Sequence, residues 1–517
     1  MKLAREIQTG QSQGISAMSN LTQHQYTLLC EASNRALSDF NSSLVTVAIP
    51  SLHVIREHPV FLSKYSHLFS KKGLSFFQTL SIELRTWVSH LKNLLTSLLC
   101  HKVDHFSNFP LPKSVDILFV THLINTEHSS ISNDFYFANI PSDLKKMGFS
   151  VAIVSVNMTP SSSEILAKNL PSDNICRIIL NKYMTLSDEL GFLDQCLVER
   201  GRLRILSEPW SQSFHNKLLQ KASREATATG TIFALRIGKQ VSTLLSLMSA
   251  KSMIIIHEGH SWERIVLARA RESNRLIKRI AYQHALLSRL QYAIFQTLPE
   301  IYLPDQIIAS GIRSFVRFSH NFETFKTKIR LGGSSRSTTL FCSRSLPADR
   351  SVSRCLVIPE GIVEECNILF KFVFSCAALS AKTQFIIRLH PSLSHQRFDC
   401  FKNRNLRTYP NIMLSTRSLP EDLLECDYAI YRGSTAIVSA VCAGLTPIYL
   451  SIPNELPIDP LFEIQVGQLT VRTPEEFLSI IGSTWVTEAT AHETTVNLCK
   501  GLYTPIDINE FVAALAE

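Results

Sequence analysis

The chain has 517 residues, 45% apolar and 18% charged, a composition that can bury cores in two or three domains. Its net charge of +9 is mild for the length and is not gathered into the interleaved Lys/Arg and aromatic stripe of a nucleic-acid groove. Nucleic acid is therefore not expected as a partner, and an anionic small ligand or a membrane surface suits the charge better. The 12 cysteines are scattered without a C-x-x-C pair or Cys/His metal spacing, which argues against a disulfide scaffold or zinc site and for a reducing cytoplasm.

Residues 1–50 are rich in Ser, Gln and Asn, and the first of them lack the apolar core that a signal peptide needs. From Leu74 to Leu99 the pattern sharpens: Leu80, Leu84, Trp87, Leu91, Leu94 and Leu98 recur at helical intervals on one face. With eight Lys/Arg against three Asp/Glu between Ser51 and Lys113, such a helix could lie on an anionic bilayer. The same spacing describes a helix packed on its own domain, and that is the preferred expectation.

After "NFPLPKS" the text changes to strand, helix, strand: Asp116–Thr121, a helix ending near "KKMGFS", and Val151–Val156. Helices near Ile232–Met248 and Trp262–Ser273 alternate with strands at Met253–Ile256, Arg279–Tyr282, Gln306–Ala309 and Thr327–Arg330. This predicts one doubly wound, parallel α/β domain over residues 114–333. The segment "GGSSRSTTLFCSRSLPADRS" reads as a linker. A second α/β run follows, with strands at Arg354–Ile358, up to Arg388, Asn411–Leu414, Tyr428–Ile430 and Pro447–Leu450. The apolar stretch Ile437 to Ile452 is broken by Ser439, Gly444, Thr446 and Pro447, so it is a buried helix and strand rather than a membrane span. The expected fold is α/β: two Rossmann-like domains facing a central cleft, with a mainly helical N-terminal extension. The expected divisions are residues 1–113 (extension), 114–333 (acceptor side), 334–351 (linker), 352–490 (donor side) and 491–517 (helical tail).

Open α/β sheets bind ligands beyond the carboxyl ends of their strands, so chemistry is sought there. In "HEGHSWER", Glu258, His260 and Glu263 are candidates for a general base, which needs a carboxylate or imidazole within hydrogen-bond reach of a hydroxyl. Gly259 beside Glu258 permits close approach, whereas Glu263 has an ordinary account as a helix cap. In "VIPEG", Glu360 and Gly361 precede a helix whose first N–H groups favour an anion. In "RLHP", Pro391 stops the strand behind His390, leaving an imidazole at its tip with Arg388 beside it, both able to donate to a phosphate. In "YRGSTAIVSAVCAG", Gly433, Ser434 and Thr435 open a helix and could cradle a phosphate or serve as a plain N-cap.

The order "PEG", "RLHP", "DYAIYRGSTAIVSAVCAG", "TPIYL" resembles the nucleotide-binding half of GT-B glycosyltransferases that use cytidine-monophosphate donors, the bacterial sialyltransferases and Kdo transferases. The upstream "HEGHSWERIVLARARES", "IAYQHALL" and "LPDQIIASG" resemble surface-carbohydrate proteins of lipopolysaccharide and O-antigen synthesis. Together these cover roughly residues 114 to 455. The resemblance implies a metal-independent glycosyltransferase without cofactor. It would move a nonulosonic or Kdo-like sugar from a CMP-linked donor to a glycan or lipid-linked acceptor of a cell-surface polysaccharide. The place of action would be the cytoplasm, at the inner face of a bacterial membrane. His390, Ser434 and Thr435 would contact the donor phosphate. The family's base lies in an acidic-acidic-Gly motif; "HEG" has His257 at the first position, and Asp134 is the rival to Glu258. A CDP-glycerol-type glycerophosphotransferase, a UDP-sugar epimerase-like enzyme and a non-catalytic GT-B scaffold remain the alternatives.

Overall fold

The apolar runs Ile117–Leu123 and Val151–Asn157 are buried at every position, the signature of parallel strands covered on both faces. In the computed structural model they lie at the centre of an eight-stranded sheet. The structure describes residues 21–38, 42–54, 58–70, 76–100, 103–207, 213–296, 298–337, 352–391, 393–401, 408–464, 467–482 and 489–516. In chain order the first sheet's strands are β1 (His105–Ser107), β2 (Ile117–Leu123), β3 (Val151–Asn157), β4 (Cys176–Leu180), β5 (Ser252–Ile256), β6 (Lys278–Tyr282), β7 (Gln306–Ala309) and β8 (Lys328–Leu331). Their spatial order is β1-β4-β3-β2-β5-β6-β7-β8, parallel throughout except for the antiparallel edge pair of β1 and β4. The second sheet holds β9 (Ser353–Ile358), β10 (Thr383–Ile387), β11 (Ile412–Leu414), β12 (Tyr428–Tyr431), β13 (Thr446–Leu450) and β14 (Leu469–Val471). Its order is β11-β10-β9-β12-β13-β14, all parallel.

The architecture is α/β with two Rossmann-like lobes. Each sheet has one place where the winding reverses, between β2 and β5 and between β9 and β12, and the loops after those strands diverge to open a crevice. The chain does not end in the second lobe. Its last helix, Ile508–Ala516, returns to the first sheet, burying Phe511 in the first core, pairing Glu510 with Arg330 at 3.1 Å and accepting from Gln306 at Ala514 O.

The N-terminal region departs from expectation in two ways. Leu29, Leu37, Val47, Ile49 and Leu52 share one core with β2 and β5, so the described part of residues 1–113 is built into the first lobe. The helix Phe76–Cys100 forms, but its leucine stripe does not pack inward: Leu80, Leu84, Trp87, Leu91 and Leu98 are between 42% and 62% exposed. Polar groups dock it instead. His90 hydrogen-bonds Thr227 O, Ser97 donates to Met184 O, and Glu83 pairs with Arg200 at 2.8 Å. Among the described residues no helix is long and apolar enough to cross a membrane.

Of the expected linker, residues 332–337 are a fixed part of the first lobe, and residues 338–351 lie outside the described residues.

Candidate active site

At the first reversal, β5 ends at Ile256 and the chain turns through His257-Glu258-Gly259-His260 into the helix Ser261–Ser273. Gly259 is required here: its φ is +86°, and a Cβ would come within 2.8 Å of Ile294 N. Glu263, fully buried, accepts N–H bonds from Glu258 at 3.0 Å and Gly259 at 2.9 Å. Its carboxylate thus fixes the turn and is turned away from the cleft, which removes Glu263 from the candidate bases.

That turn leaves Glu258 facing the cleft at 21% side-chain exposure, between two imidazoles: His260 Nε2 lies 3.0 Å from Oε2 and His284 Nε2 lies 3.5 Å from Oε1. His284 follows β6, and His122 at the end of β2 is bonded through Nε2 to the Tyr136 hydroxyl at 2.6 Å. Burial holds His122 and His284 neutral, with pKa values lowered to about 4 against the opposing pull of Glu258. For Glu258 burial acts to raise the pKa, but the opposing interactions, led by the His260 hydrogen bond, outweigh it, and the carboxyl titrates below the ordinary range. The cluster therefore presents an ionised carboxylate, oriented by two imidazoles, to anything in the cleft.

Asp134, the rival base, uses Oδ1 to accept the N–H groups of Tyr136 at 2.8 Å and Phe137 at 2.7 Å, an Asx turn that also shapes the cleft wall. Its neighbours Phe135 and Tyr136 line the cleft, and Asp134 does not.

At the second reversal, β9 runs into Pro359-Glu360-Gly361 and β12 into Arg432-Gly433-Ser434-Thr435. The Glu360 carboxylate lies against Gly433, where a Cβ would sit 2.5 Å from Oε1, so the two loops touch only because residue 433 has no side chain. Ser434 does not cap a helix: the helix spans Ile437–Cys442 with Ala436 as its N-cap and no side-chain cap bond. The Ser434 and Thr435 carbonyls instead accept from Ile437 N and Val438 N. His390, just beyond β10, lines the same cleft, and burial lowers its pKa. Arg388 does not: its guanidinium donates to Arg417 O and pairs with Asp422 at 3.1 Å, tying the strand end to the helix Leu419–Glu425. The strand stops at Ile387, ahead of His390 and Pro391, so Pro391 is not what ends it, and it does not line the cleft.

These two walls enclose one cavity of about 650 Å³. It brings together Glu258, His260, Glu360, Gly361, His390, Gly433, Ser434 and Thr435, and leaves out Asp134, Glu263, Arg388 and Pro391. Three histidines are among the contributors that sequence reasoning missed. His122 and His284 end strands just as His390 does, so the signal was present. His58 comes from the N-terminal region and reaches across to the second lobe, with Nε2 3.4 Å from Glu360 Oε1 and 3.8 Å from Glu365 Oε1.

His58, Glu360 and Glu365 offer ligand atoms within 4.8 Å of one another, the spacing of a metal site. The His58 tautomer argues otherwise. Its Nδ1 accepts the Val60 N–H at 3.3 Å, so the neutral ring carries its proton on Nε2, the atom facing the carboxylates. In that arrangement Nε2–H donates a hydrogen bond to Glu360 and presents no lone pair there for a cation.

No family model and no curated protein matches the sequence. Solved structures resemble it in outline. MurG of Acinetobacter baumannii is 10% identical, covering 78% of this chain and 99% of that one at a TM-score of 0.45. The UDP-GlcNAc 2-epimerase of Neisseria meningitidis bound to UDP-GlcNAc is 12% identical, covering 77% and 99% at 0.44. The calicheamicin glycosyltransferase CalG4 is 12% identical, covering 78% and 99% at 0.44.

Proposed function

We propose that the protein is a glycosyltransferase of GT-B architecture, taking a nucleotide-linked sugar on the second lobe and a cell-surface glycan acceptor on the first. The observation that carries this reading is the convergence of both winding reversals on one cavity, with an acid–base cluster on one wall and a donor-competent loop set on the other. Glu258 takes the proton of the acceptor hydroxyl as that oxygen attacks the anomeric carbon, and His260 and His284 hold the carboxylate in line. His390, Ser434 and the Gly361 N–H face the leaving phosphate and stabilise its charge as the glycosidic bond to it breaks. The finer reading, from the sequence resemblance, is a CMP-linked nonulosonic or Kdo-like donor and a metal-independent displacement.

A thermal-shift screen of CMP, CDP, UDP, GDP and dTDP tests the donor class. A nucleotide present at 100 times its Kd stabilises the fold by about 2.7 kcal/mol. Selective stabilisation by CMP is the expected result, and a flat response to all five sinks the glycosyltransferase reading. UDP selectivity with turnover of a UDP-sugar in the absence of any acceptor moves the protein to the epimerases.

The exposed stripe of Phe76–Cys100 fits the surface of an anionic bilayer. Phe77 and Trp87 stand among the leucines, Arg85 and Lys92 are exposed beside them, and the helix's one acid, Glu83, is already paired. Sedimentation with phosphatidylglycerol vesicles is expected for the wild type and lost in a Leu84→Ser, Leu91→Ser protein. Equal sedimentation of the two removes this contact.

A further inference from the structure

The segment that reads as a linker supplies the cleft with a cation. Gly332 and Gly333 both donate to Ala309 O, Ser334 N donates to Thr504 O, and Ser334 Oγ donates to His284 O at 3.0 Å. The Tyr282 hydroxyl donates to Gly333 O at 3.1 Å, and the Arg336 N–H closes onto Ser334 Oγ at 3.2 Å. Gly333 has a φ of +75°, and a Cβ there would lie 2.0 Å from Pro505 O, so the backbone is held against the C-terminal crossover with no space for another residue type. This is a built platform, and the residue that it carries into the cleft is Arg336.

The Arg336 side chain is half-buried and has no hydrogen bond or ion pair among the described residues. The acids that face or adjoin the cleft are already engaged: Glu258 with His260 and His284, Glu360 with His58, and Glu365 with Arg432 at 2.6 Å. It lines the cavity together with Tyr136 and His284 of the first wall and His390 of the second. A partly desolvated guanidinium, fixed at its backbone and lacking a counter-ion, is an incomplete charge pair, and a planar fork of donors is matched by phosphate or carboxylate oxygens.

We propose that Arg336 is the anion anchor of the cleft, binding the phosphate oxygens of the donor at the seam between the lobes. This rests on the glycosyltransferase reading for the identity of the donor, but not for the existence of the anion site. The shared chemistry is an oxyanion, and a sugar carboxylate is its other source.

Calorimetric titration of wild type and Arg336→Gln with pyrophosphate, and separately with N-acetylneuraminate, distinguishes them. The expected result is a loss of at least tenfold in pyrophosphate affinity, partly restored in Arg336→Lys. An unchanged thermal midpoint is expected for the variant, because the side chain makes no bond in the fold. A loss confined to the neuraminate arm overturns the phosphate assignment in favour of the carboxylate. Equal affinity of wild type and variant for both anions, or no binding of either by the wild type, overturns the anchor altogether. A wild type that binds pyrophosphate through Arg336 but no nucleotide leaves the anchor standing and sinks the donor reading alone.

Discussion

A Glu258→Gln protein is expected to bind nucleotide like the wild type and to turn over 10² to 10⁴ times more slowly, roughly the contribution of a positioned general base. The change keeps the shape of the side chain and removes its ability to hold a proton. Unchanged turnover eliminates Glu258 as the base. Nucleotide affinity without turnover in the wild type, in every acceptor assay, points to a scaffold. The surroundings of Glu258 also fix the sign of a pH experiment. Burial acts to raise its pKa, and the His260 hydrogen bond is the largest opposing influence. With His260 present the basic form persists below the ordinary carboxylate range, and activity is lost only as pH falls through that lowered value. In His260→Ala the burial contribution is less opposed, so the acid limb of the rate profile is expected to move to higher pH. A limb that stays in place means that the titrating group is elsewhere.

The parallel lobes were legible because their strands are continuous apolar runs with helices between them, and burial on both faces leaves no other reading for Ile117–Val120 or Val151–Val154. The edge strands β1 and β14, three residues each, were not read, and neither was β4. The candidate residues that follow a strand at a winding reversal, Glu258, Glu360 and Ser434, do line the cavity, since the carboxyl end of such a strand opens into the crevice. Arg388 failed because strand alternation sets a side chain's face and not its partner, and Asp422 on a following helix claimed it. Asp134 failed because an aspartate in a polar loop satisfies local N–H groups as readily as it reaches a substrate. His58 precedes a proline just as His390 does. It was passed over because it lies far from the second lobe in the chain, and no local pattern reports a contact of that separation. The Phe76–Cys100 helix shows the same gap from the other side: periodicity gave the stripe, and only packing could say that the stripe faces outward.

Arg432 is a place where a single substitution is expected to destabilise the second lobe. It is 2% exposed, donates through Nε to Glu365 at 2.6 Å and through Nη2 to Glu455 at 2.7 Å, and gives Nη1 to Leu450 O at 3.0 Å. The two acids are themselves 2% and 6% exposed. Arg432→Ala leaves both carboxylates in a low-dielectric interior without their cation, and the expected cost is about 3–5 kcal/mol, read as a fall in the urea midpoint. Coulomb attraction alone is not the reason for the size, because a well-packed apolar replacement of a buried ion cluster is often near neutral. Hence Arg432→Met combined with Glu365→Gln and Glu455→Gln is expected to be more stable than Arg432→Met alone, a non-additive result that a sum of lost contacts does not give. Additive losses across the three sites would mean that each group contributes independently. They would also remove the cluster as what holds the β12 turn, and with it Gly433 and Ser434, against Glu360 in the cleft.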